Sequence, residues 1–296
     1  MSPKNLYRLL TNHPLNRDHK IASLLRFAKW QIGSRLVPGA VVYDWVNGSK
    51  FVVRNGEMGL TPNIYTGLCE FEDMSFVLHF ARSEDFFVDV GANAGSYTIL
   101  ACGVGGASGM AFEPVPNTYS RLCENVRINH LEQRVVCINK GVGANHEKLA
   151  FTSGSDAMNH ALAAGEQRQD VIEVDVTPLD DALQGMCPTL LKIDVEGFES
   201  PVIEGAAQTL ANPALKAVVL ELNGNGSRYG YDEATILQKM LDFGFETYSY
   251  APFERKLINL EGKNLKSGNT LFLRDLPMIE RRLADGPEIV TALKRI

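Results

Sequence analysis

The 296-residue chain is 45% hydrophobic and 22% charged with no biased tract, so we expect an ordinary globular protein with one large α/β domain and an appendage. Its formal net charge of −6 and pI near 5.6 argue against nucleic-acid binding, which needs clustered Lys and Arg, and favour a small-molecule partner. The N-terminus lacks a signal peptide's apolar core and no run of about 18 apolar residues could span a bilayer, so we expect a cytoplasmic protein.

The first residues, 1–80, are predicted to form an accessory segment of an amphipathic helix and a β-hairpin. Residues 20–36 repeat apolar side chains at helical spacing, and four basic residues occupy other positions of the same helix. We expect the apolar face to dock on the main domain, and contact with a membrane surface is the alternative. The β-rich runs VVYDWV and KFVVR flank Asn47 and Gly48, a dipeptide that favours a tight hairpin turn.

From Phe86 onward, short apolar runs alternate with segments of helical periodicity, which is typical of βαβ units and a mainly parallel sheet. Strands are predicted at FFVDV, GMAFE, VVCIN, LLKID and AVVLEL. Near the end, FETYSYA and NTLFLR are predicted to pair as an antiparallel hairpin. The main domain, a doubly wound α/β unit, is therefore assigned to residues 81–276, with a C-terminal helical tail at residues 277–296.

The strongest local signal is FFVDVGANAGSYTIL, an apolar strand that delivers Asp89 into a turn with Gly91 and Gly95 before a helix starts near Ser96. In a parallel sheet this turn lies at the carboxyl ends of the strands, where ligands bind. Glycine allows close approach to the backbone there and adopts positive φ angles at little cost. Glu113 ends the next strand, where a carboxylate can accept hydrogen bonds from both ribose hydroxyls. The pattern predicts a cofactor that contains adenosine.

NAD is the competing cofactor, but its fingerprint requires Gly-x-Gly-x-x-Gly, and here Asn93 and Ser96 replace the second and third glycines. The acidic strand end at Asp89 also suits a cationic ligand better than a pyrophosphate. S-adenosylmethionine carries a sulfonium and an ammonium, and its carboxylate could use the N–H groups around Gly95, Ser96 and Tyr97 at the helix start.

In order and spacing, VDVGANAGSYT, AFEP, LLKIDVEGFE and VVLELN resemble the FkbM family of methyltransferases. The resemblance covers roughly residues 70–274. It implies a class I methyltransferase fold, which is a Rossmann-like, seven-stranded sheet with its last strand antiparallel, and O-methylation of sugars or natural products. It also implies a methionine-side turn at Asp89, Gly91, Asn93 and Gly95, with Glu113 as the ribose ligand. The stretch around Glu70, just before the first strand, resembles the family's approach to the cofactor.

A second candidate site is Lys192-Ile193-Asp194-Val195-Glu196-Gly197, where a strand delivers Asp194 to the edge of the sheet beside the glycine turn. Methyl transfer to an alcohol needs a base for the hydroxyl proton. Asp194, Glu196 and His160 are the candidates, and Asp194 is counted among the cofactor contacts as well. Lys192 is expected either to face outward or to pair with a neighbour.

A metal-assisted scheme stays open beside the direct one. Glu221 ends the adjacent strand and Asn223 follows closely, so Asp194, Glu221 and Asn223 could hold a divalent cation that orients the acceptor oxygen. No dedicated ligand string is visible, so we expect no metal.

These residues favour an S-adenosylmethionine-dependent O-methyltransferase acting on a saccharide or another polyhydroxylated small molecule. The alternatives are an NAD-dependent oxidoreductase and a non-catalytic S-adenosylmethionine-binding module that regulates a partner. Carboxylates at Asp194, Glu196 and Glu221 argue against the last, because a module that only binds needs no acids on the acceptor side.

Overall fold

The computed structural model describes residues 3–37, 39–154, 158–291 and 294–296. The helices in this part of the chain are α1 (Pro3–Asn12), α2 (Lys20–Leu36), α3 (Thr61–Thr66), α4 (Phe71–Phe80), α5 (Ser96–Thr98), α6 (Pro116–Ile128), α7 (Leu179–Leu183), α8 (Glu199–Glu204), α9 (Ala207–Ala211), α10 (Glu233–Asp242) and α11 (Leu276–Ala284). The strands are β1 (Ala40–Asp44), β2 (Lys50–Arg54), β3 (Phe86–Val90), β4 (Ser108–Phe112), β5 (Val135–Ile138), β6 (Gly141–Val142), β7 (Glu147–Thr152), β8 (Val171–Thr177), β9 (Leu190–Ile193), β10 (Ala217–Glu221), β11 (Glu246–Ala251), β12 (Lys256–Asn259) and β13 (Asn269–Leu273). A π-helical segment, Ile99–Val104, continues α5.

Eight of the described strands form the central sheet, in the order β12-β11-β13-β10-β9-β3-β4-β5. The five strands from β5 to β10 run parallel, and β13 lies antiparallel between β10 and β11. Seven strands therefore give the class I methyltransferase arrangement with the last strand antiparallel, as predicted. The eighth, β12, extends the edge as a hairpin partner of β11.

The five strands predicted from the apolar runs are confirmed as β3, β4, β5, β9 and β10. The inner strands β3, β9 and β10 are buried on both faces and so stay apolar along their length. The two C-terminal runs pair antiparallel as β11 and β13, but β12 intervenes in the chain, so they do not form a simple hairpin. The hairpin around Asn47 and Gly48 is confirmed as β1 and β2, with φ angles of 50° and 80° at those two residues.

A small three-stranded sheet in the order β6-β8-β7 lies where the sequence analysis assigned no element. In β8, VIEVDVT, apolar residues alternate with acidic ones, so one face packs on a small core and the other meets solvent. That core consists of Phe151, Ala161, Val174 and Val176. The core is too small to leave a strong apolar signal in the sequence.

The helix predicted at residues 20–36 forms as α2, but the expected docking of its apolar face is wrong. Five aliphatic side chains on that face are between 39% and 76% exposed: Ile21, Leu24, Leu25, Ile32 and Leu36. The helix packs instead through Ser23, Trp30 and Ser34, and Phe27 lies edge-on to Tyr65 at 5.1 Å between ring centroids. None of the described helices is both long enough and apolar enough to cross a membrane.

The accessory segment and the sheet share one hydrophobic core. Side chains from α1 and α2, such as Leu10 and Trp30, belong to the same cluster as Phe87 of β3 and Leu271 of β13. Helix α4, within the segment 1–80, packs on β11 and on the helical turn after α5. Packing is therefore continuous across the boundary at residue 80.

Candidate active site

A cavity lies at the carboxyl ends of β3, β4, β9 and β10 and is closed on another side by the segment between β2 and α4. We call it the strand-end cavity. Eight residues assigned to cofactor binding from the sequence line it: Glu70, Asp89, Gly91, Asn93, Ser96, Tyr97, Glu113 and Asp194. The parallel order of the strands brings these residues to one edge, although they are far apart in the chain.

Gly91 is required by the packing of two strand ends. Its φ is 79°, and a Cβ there would lie 1.8 Å from the backbone carbonyl oxygen of Asp194. We expected a ligand to approach the backbone closely at this glycine. The end of β9 makes that close approach instead. Asn93, with φ 51°, completes the turn and accepts a hydrogen bond from the N–H of Ala94 through Oδ1 at 2.6 Å.

Gly95 was also predicted to bind the cofactor, but it does not line the strand-end cavity. Its φ of 90° starts α5, and a Cβ there would come within 2.7 Å of Leu122 on α6. The glycine therefore serves the chain reversal and the packing of α6, and its neighbours Ser96 and Tyr97 reach the cavity.

Glu113 is a buried carboxylate held in place by the backbone. Its Oε2 accepts the N–H of Asn93 and its Oε1 accepts the N–H of Val115, both at 3.0 Å. Glu113 also lines the strand-end cavity, where a carboxylate can accept hydrogen bonds from hydroxyl groups. This geometry fits the role expected for Glu113 at a ribose.

Buried carboxylates give the strand-end cavity a negative character. Asp89 accepts a hydrogen bond from Thr98 Oγ1 at 2.6 Å, and burial raises its pKa to about 6. Glu70 accepts one from the Tyr97 hydroxyl at 2.5 Å, and burial raises its pKa too. Burial disfavours the charged form of both acids, so a cationic ligand would stabilise the ionised carboxylates.

Three carboxylates form a cluster at the ends of β9 and β10. Asp194, Glu196 and Glu221 each offer one oxygen, and these oxygens lie within 4.8 Å of one another. Burial, and then the charge of Asp194, raises the pKa of Glu196 to about 7, and the same causes raise that of Glu221. Asn225 donates to Glu196 Oε2 at 3.0 Å. A base poised near neutral pH therefore lies beside the glycine turn.

The Methyltransferase FkbM domain model matches residues 89–247, more than half of the chain. The chain belongs to the FkbM methyltransferase family. The family assignment agrees with the resemblance seen in the motifs.

Two relatives of this FkbM methyltransferase are 27% identical to it. One is "Methyltransferase 1" of Beauveria bassiana, aligned over 207 residues, 61% of this chain and 81% of the relative. The other is "Hexuronic acid methyltransferase AglP" of Haloferax volcanii, aligned over 149 residues, 50% of this chain and 59% of the relative. A crystal structure of methyltransferase FkbM from Methylobacillus flagellatus KT superposes with a TM-score of 0.46 at 16% identity, over 72% of this chain and 52% of that one.

Besides Gly95, two predicted residues of this FkbM methyltransferase lie outside the strand-end cavity. His160 follows β7, and its Nε2 lies 3.2 Å from Glu166 while its neighbour Asn159 lines the cavity. Asn223, the third candidate metal ligand, is exposed and accepts the N–H of Asn225. Periodicity cannot show which residue of a loop turns inward, and in the acidic cluster Glu196 takes the place proposed for Asn223.

Lys192 is the most important residue whose role the sequence left open. It is only 1% exposed, its Nζ lies 2.9 Å from Asp194 Oδ2, and it sits 5.2 Å from the centre of the Tyr97 ring. Burial opposes its charge, but Asp194, Glu70 and Glu221 outweigh burial and raise its pKa. Of the two placements expected, pairing with a neighbour is found. The spacing in the sequence is consistent with this pairing, because residues two apart along a strand point to the same face of the sheet.

Glu199 was not identified from the sequence. It lies at the start of α8, and its Oε1 accepts the N–H groups of Val195 and Gly197 at 3.1 and 3.2 Å. Burial raises its pKa to about 7. The carboxylate thus holds the loop that presents Glu196 to the cavity, a role for which the sequence gives no periodic signal.

Proposed function

We propose that this methyltransferase uses S-adenosylmethionine to methylate a hydroxyl oxygen of a saccharide or another polyhydroxylated small molecule. The observation that carries the proposal is the strand-end cavity, which joins a backbone-held carboxylate at Glu113 to a set of buried acids around a glycine turn. Glu113 suits the ribose hydroxyls, and the acids suit a ligand with a sulfonium and an ammonium.

The acceptor class is supported by the chemistry of the acidic cluster and by one relative. An alcohol attacks effectively only when its proton is removed during the reaction, and the cluster offers carboxylates at the place where acceptor and methyl group would meet. The relative from Haloferax volcanii is described as a hexuronic acid methyltransferase, which supports a sugar as the acceptor.

Glu196 is the base in this proposal. S-adenosylmethionine, when bound, supplies an electrophilic methyl group on a sulfonium. The carboxylate of Glu196 accepts the acceptor's hydroxyl proton as the oxygen attacks, and its pKa of about 7 matches this task near neutral pH. Asp194, paired with Lys192, is a positioning residue that shares a hydrogen bond with Glu221 and acts on Glu196 through its charge.

The NAD-dependent alternative is disfavoured by the same residues. A pyrophosphate would lie against the buried Asp89 and Glu70, and like charges repel strongly in a pocket of reduced dielectric. A cation at Asp194, Glu196 and Glu221 is the second scheme for the proton transfer, because hard carboxylate oxygens suit Mg²⁺ or Mn²⁺. Lys192 already brings one positive charge to this cluster, which favours the direct scheme.

Calorimetry and a transfer assay test the proposal. S-adenosylmethionine and S-adenosylhomocysteine should bind in the micromolar range common for cofactors, and NAD should not bind. Glu113→Ala should weaken binding by about 1.5–3 kcal/mol, the scale of a lost charge-assisted hydrogen bond, while Glu124→Ala on the outer face of α6 should not. Labelled methyl from the cofactor should appear on glycans or hexuronate-containing acceptors.

The outcomes separate the candidate functions. NAD binding without S-adenosylmethionine binding would overturn the proposal in favour of an oxidoreductase. Cofactor binding without transfer to any polyhydroxylated acceptor would favour the regulatory module. Loss of transfer with EDTA and recovery with Mg²⁺ would assign the acidic cluster to a cation.

A further inference from the structure

Helix α2 carries an aliphatic stripe that no described part of the chain covers. The stripe consists of Ile21, Leu24, Leu25, Ile32 and Leu36. At 100° per residue these side chains share one side of the helix, opposite the side through which α2 packs. Five exposed aliphatic residues on one helix face are unusual on a globular protein, and such a patch marks a contact surface.

Basic residues frame the aliphatic stripe. Lys20 and Lys29 are exposed and lie on opposite flanks of the stripe, and Arg35 is exposed on the side of the helix that carries Leu24. The first 37 residues contain seven Lys and Arg against a single Asp, a net charge of +6 in a chain whose total is −6. Positive charge is thus concentrated in the segment that exposes the stripe.

We propose that α2 docks this protein on the surface of a membrane rich in anionic lipid. The aliphatic stripe enters the boundary between headgroups and acyl chains, and Lys20, Lys29 and Arg35 extend toward lipid phosphates. The helix lies in the plane of the surface, because its 17 residues with four basic side chains cannot span the bilayer. The proposal rests on α2 alone and does not require the proposed methyl transfer.

A second copy of the chain fits this surface poorly. A helix of 17 residues is about 25 Å long, so a stripe about 10 Å wide offers roughly 250 Å², against about 800 Å² per partner in a stable dimer. Paired stripes would also bring the flanking lysines and arginines of both copies together, which is repulsive. Anionic lipid satisfies the apolar and the basic parts of the surface at once.

The docking would bring the strand-end cavity close to the membrane. Helix α2 packs on α3, where Gln31 donates to the Tyr65 hydroxyl at 2.7 Å and Arg26 donates to its carbonyl at 2.6 Å. Pro62 of the same short helix lines the cavity. One layer of helix therefore separates the cavity lining from the proposed lipid surface, an arrangement suited to an acceptor held at the membrane.

Vesicle flotation of the full chain tests the docking. The protein should float with vesicles of phosphatidylcholine and phosphatidylglycerol and remain in solution with phosphatidylcholine alone. Binding should weaken as salt rises, because screening acts on the exposed lysines and arginines. Lys29→Gln with Arg35→Gln should lower the partition coefficient about 10- to 30-fold, the change expected for two basic residues near an anionic surface.

Apolar variants supply the matched comparison. Leu25→Ser with Ile32→Ser should abolish flotation, whereas Leu265→Ser, at a highly exposed leucine elsewhere, should leave it unchanged. Circular dichroism and cofactor calorimetry should match wild type in all variants, because none of these side chains lines the cavity. The proposal is overturned if the wild type ignores anionic vesicles or if the double serine variant still floats. It is equally overturned if light scattering shows a dimer that this variant disperses.

Discussion

At the scale of single residues, Lys192 differentiates the carboxylates of the acidic cluster. Its ammonium lies 2.9 Å from Asp194 and holds that carboxylate in an ion pair. Glu196 has no ammonium at hydrogen-bond distance among the described residues and accepts a hydrogen bond from the neutral amide of Asn225. Two acids two residues apart thus acquire different roles from their surroundings.

The first prediction concerns the base. Wild-type turnover should rise with pH through about 7 and then level off, because the pKa of Glu196 is raised to about 7 and the ionised form accepts the proton. Glu196→Gln should lower turnover ~10²–10⁴-fold, the usual loss for a general base, and abolish this limb of the pH profile. Turnover and cofactor affinity should be measured together, and cofactor affinity should change little.

Two further variants complete this test. Asp194→Asn should lower turnover and keep a rising limb that is shifted to lower pH, because the charge of Asp194 contributes to the raised pKa of Glu196. The exposed Glu204→Gln, whose partner is Lys239, should behave like wild type. If Asp194→Asn abolishes the pH limb and Glu196→Gln retains it, the two assignments must be exchanged.

The sequence located the acidic residues that line the strand-end cavity, because glycine turns and acids at strand ends mark the carboxyl edge of a parallel sheet. Asp89, Glu113 and Asp194 were found in this way. His160 and Asn223 lie outside the cavity, because they follow strand ends, where nothing in the sequence tells which residue turns inward. The burial of Lys192 depends on three acids brought together by the fold, and a single strand does not reveal them.

At the scale of elements, the site depends on contact between the turn after β3 and the end of β9. The N–H of Asp194 donates to the carbonyl of Val90 at 3.0 Å, and the Asp194 carbonyl occupies the space where a Cβ of residue 91 would lie. The glycine turn and the acidic cluster are therefore held together by backbone contact. Movement of either element would separate the cofactor side from the acceptor side.

This contact gives the second prediction. Gly91→Ala should destabilise the protein by more than about 4 kcal/mol, because the strain of a left-handed residue adds to an overlap with backbone that cannot move freely. Gly165→Ala is the matched control: its φ of 82° is similar, but no atom lies within 4 Å of the added carbon. The control should cost only about 1–2 kcal/mol. Thermal and denaturant unfolding, with soluble yield, measure the difference, and equal losses in both variants would contradict the role given to the contact.

The elements themselves were predictable to different degrees. The buried parallel strands leave apolar runs, and the hairpin at Asn47 and Gly48 leaves a turn dipeptide, so both were found. Periodicity predicted α2 as an amphipathic helix but not the face that packs, because Phe27 and Trp30 outweigh the more numerous aliphatic residues opposite them. The sheet of β6, β7 and β8 was missed because its core is small and its strands mix apolar residues with charged ones.

At the scale of the whole molecule, buried ionisable groups link stability to pH in two directions. Burial raises the pKa of Asp73 to about 8 and those of Glu196 and Glu199 to about 7, so the folded state keeps protons that the unfolded chain releases above about pH 4. The stabilisation that these acids contribute is complete below about pH 4, and it is lost as the pH rises through their raised pKa values. Burial lowers the pKa of His13 and His79 to about 4, so the folded state keeps these histidines neutral. The protein loses stability as the pH falls below about 6.5, because the unfolded chain then binds protons that the folded state does not.

Below pH 6.5 the acids and the histidines change the free energy of unfolding in opposite directions as the pH changes. Above pH 6.5 the histidines are neutral in both states, so only the acids make the free energy of unfolding depend on pH. We therefore expect the melting temperature of the ligand-free protein to fall between pH 6.5 and 8.5. Each proton held only by the folded state lowers the free energy of unfolding by about 1.4 kcal/mol per unit rise in pH.

Asp73→Asn tests this trend. Below pH 8 it should remove up to one proton's share of the pH dependence, because the amide can still accept the hydrogen bond of Asn269 and has no charge to bury. The exposed Asp242→Asn should follow the wild-type curve. A melting temperature that is constant or rises over this range, or an Asp73→Asn curve parallel to that of the wild type, would show that these acids are ionised in the folded protein.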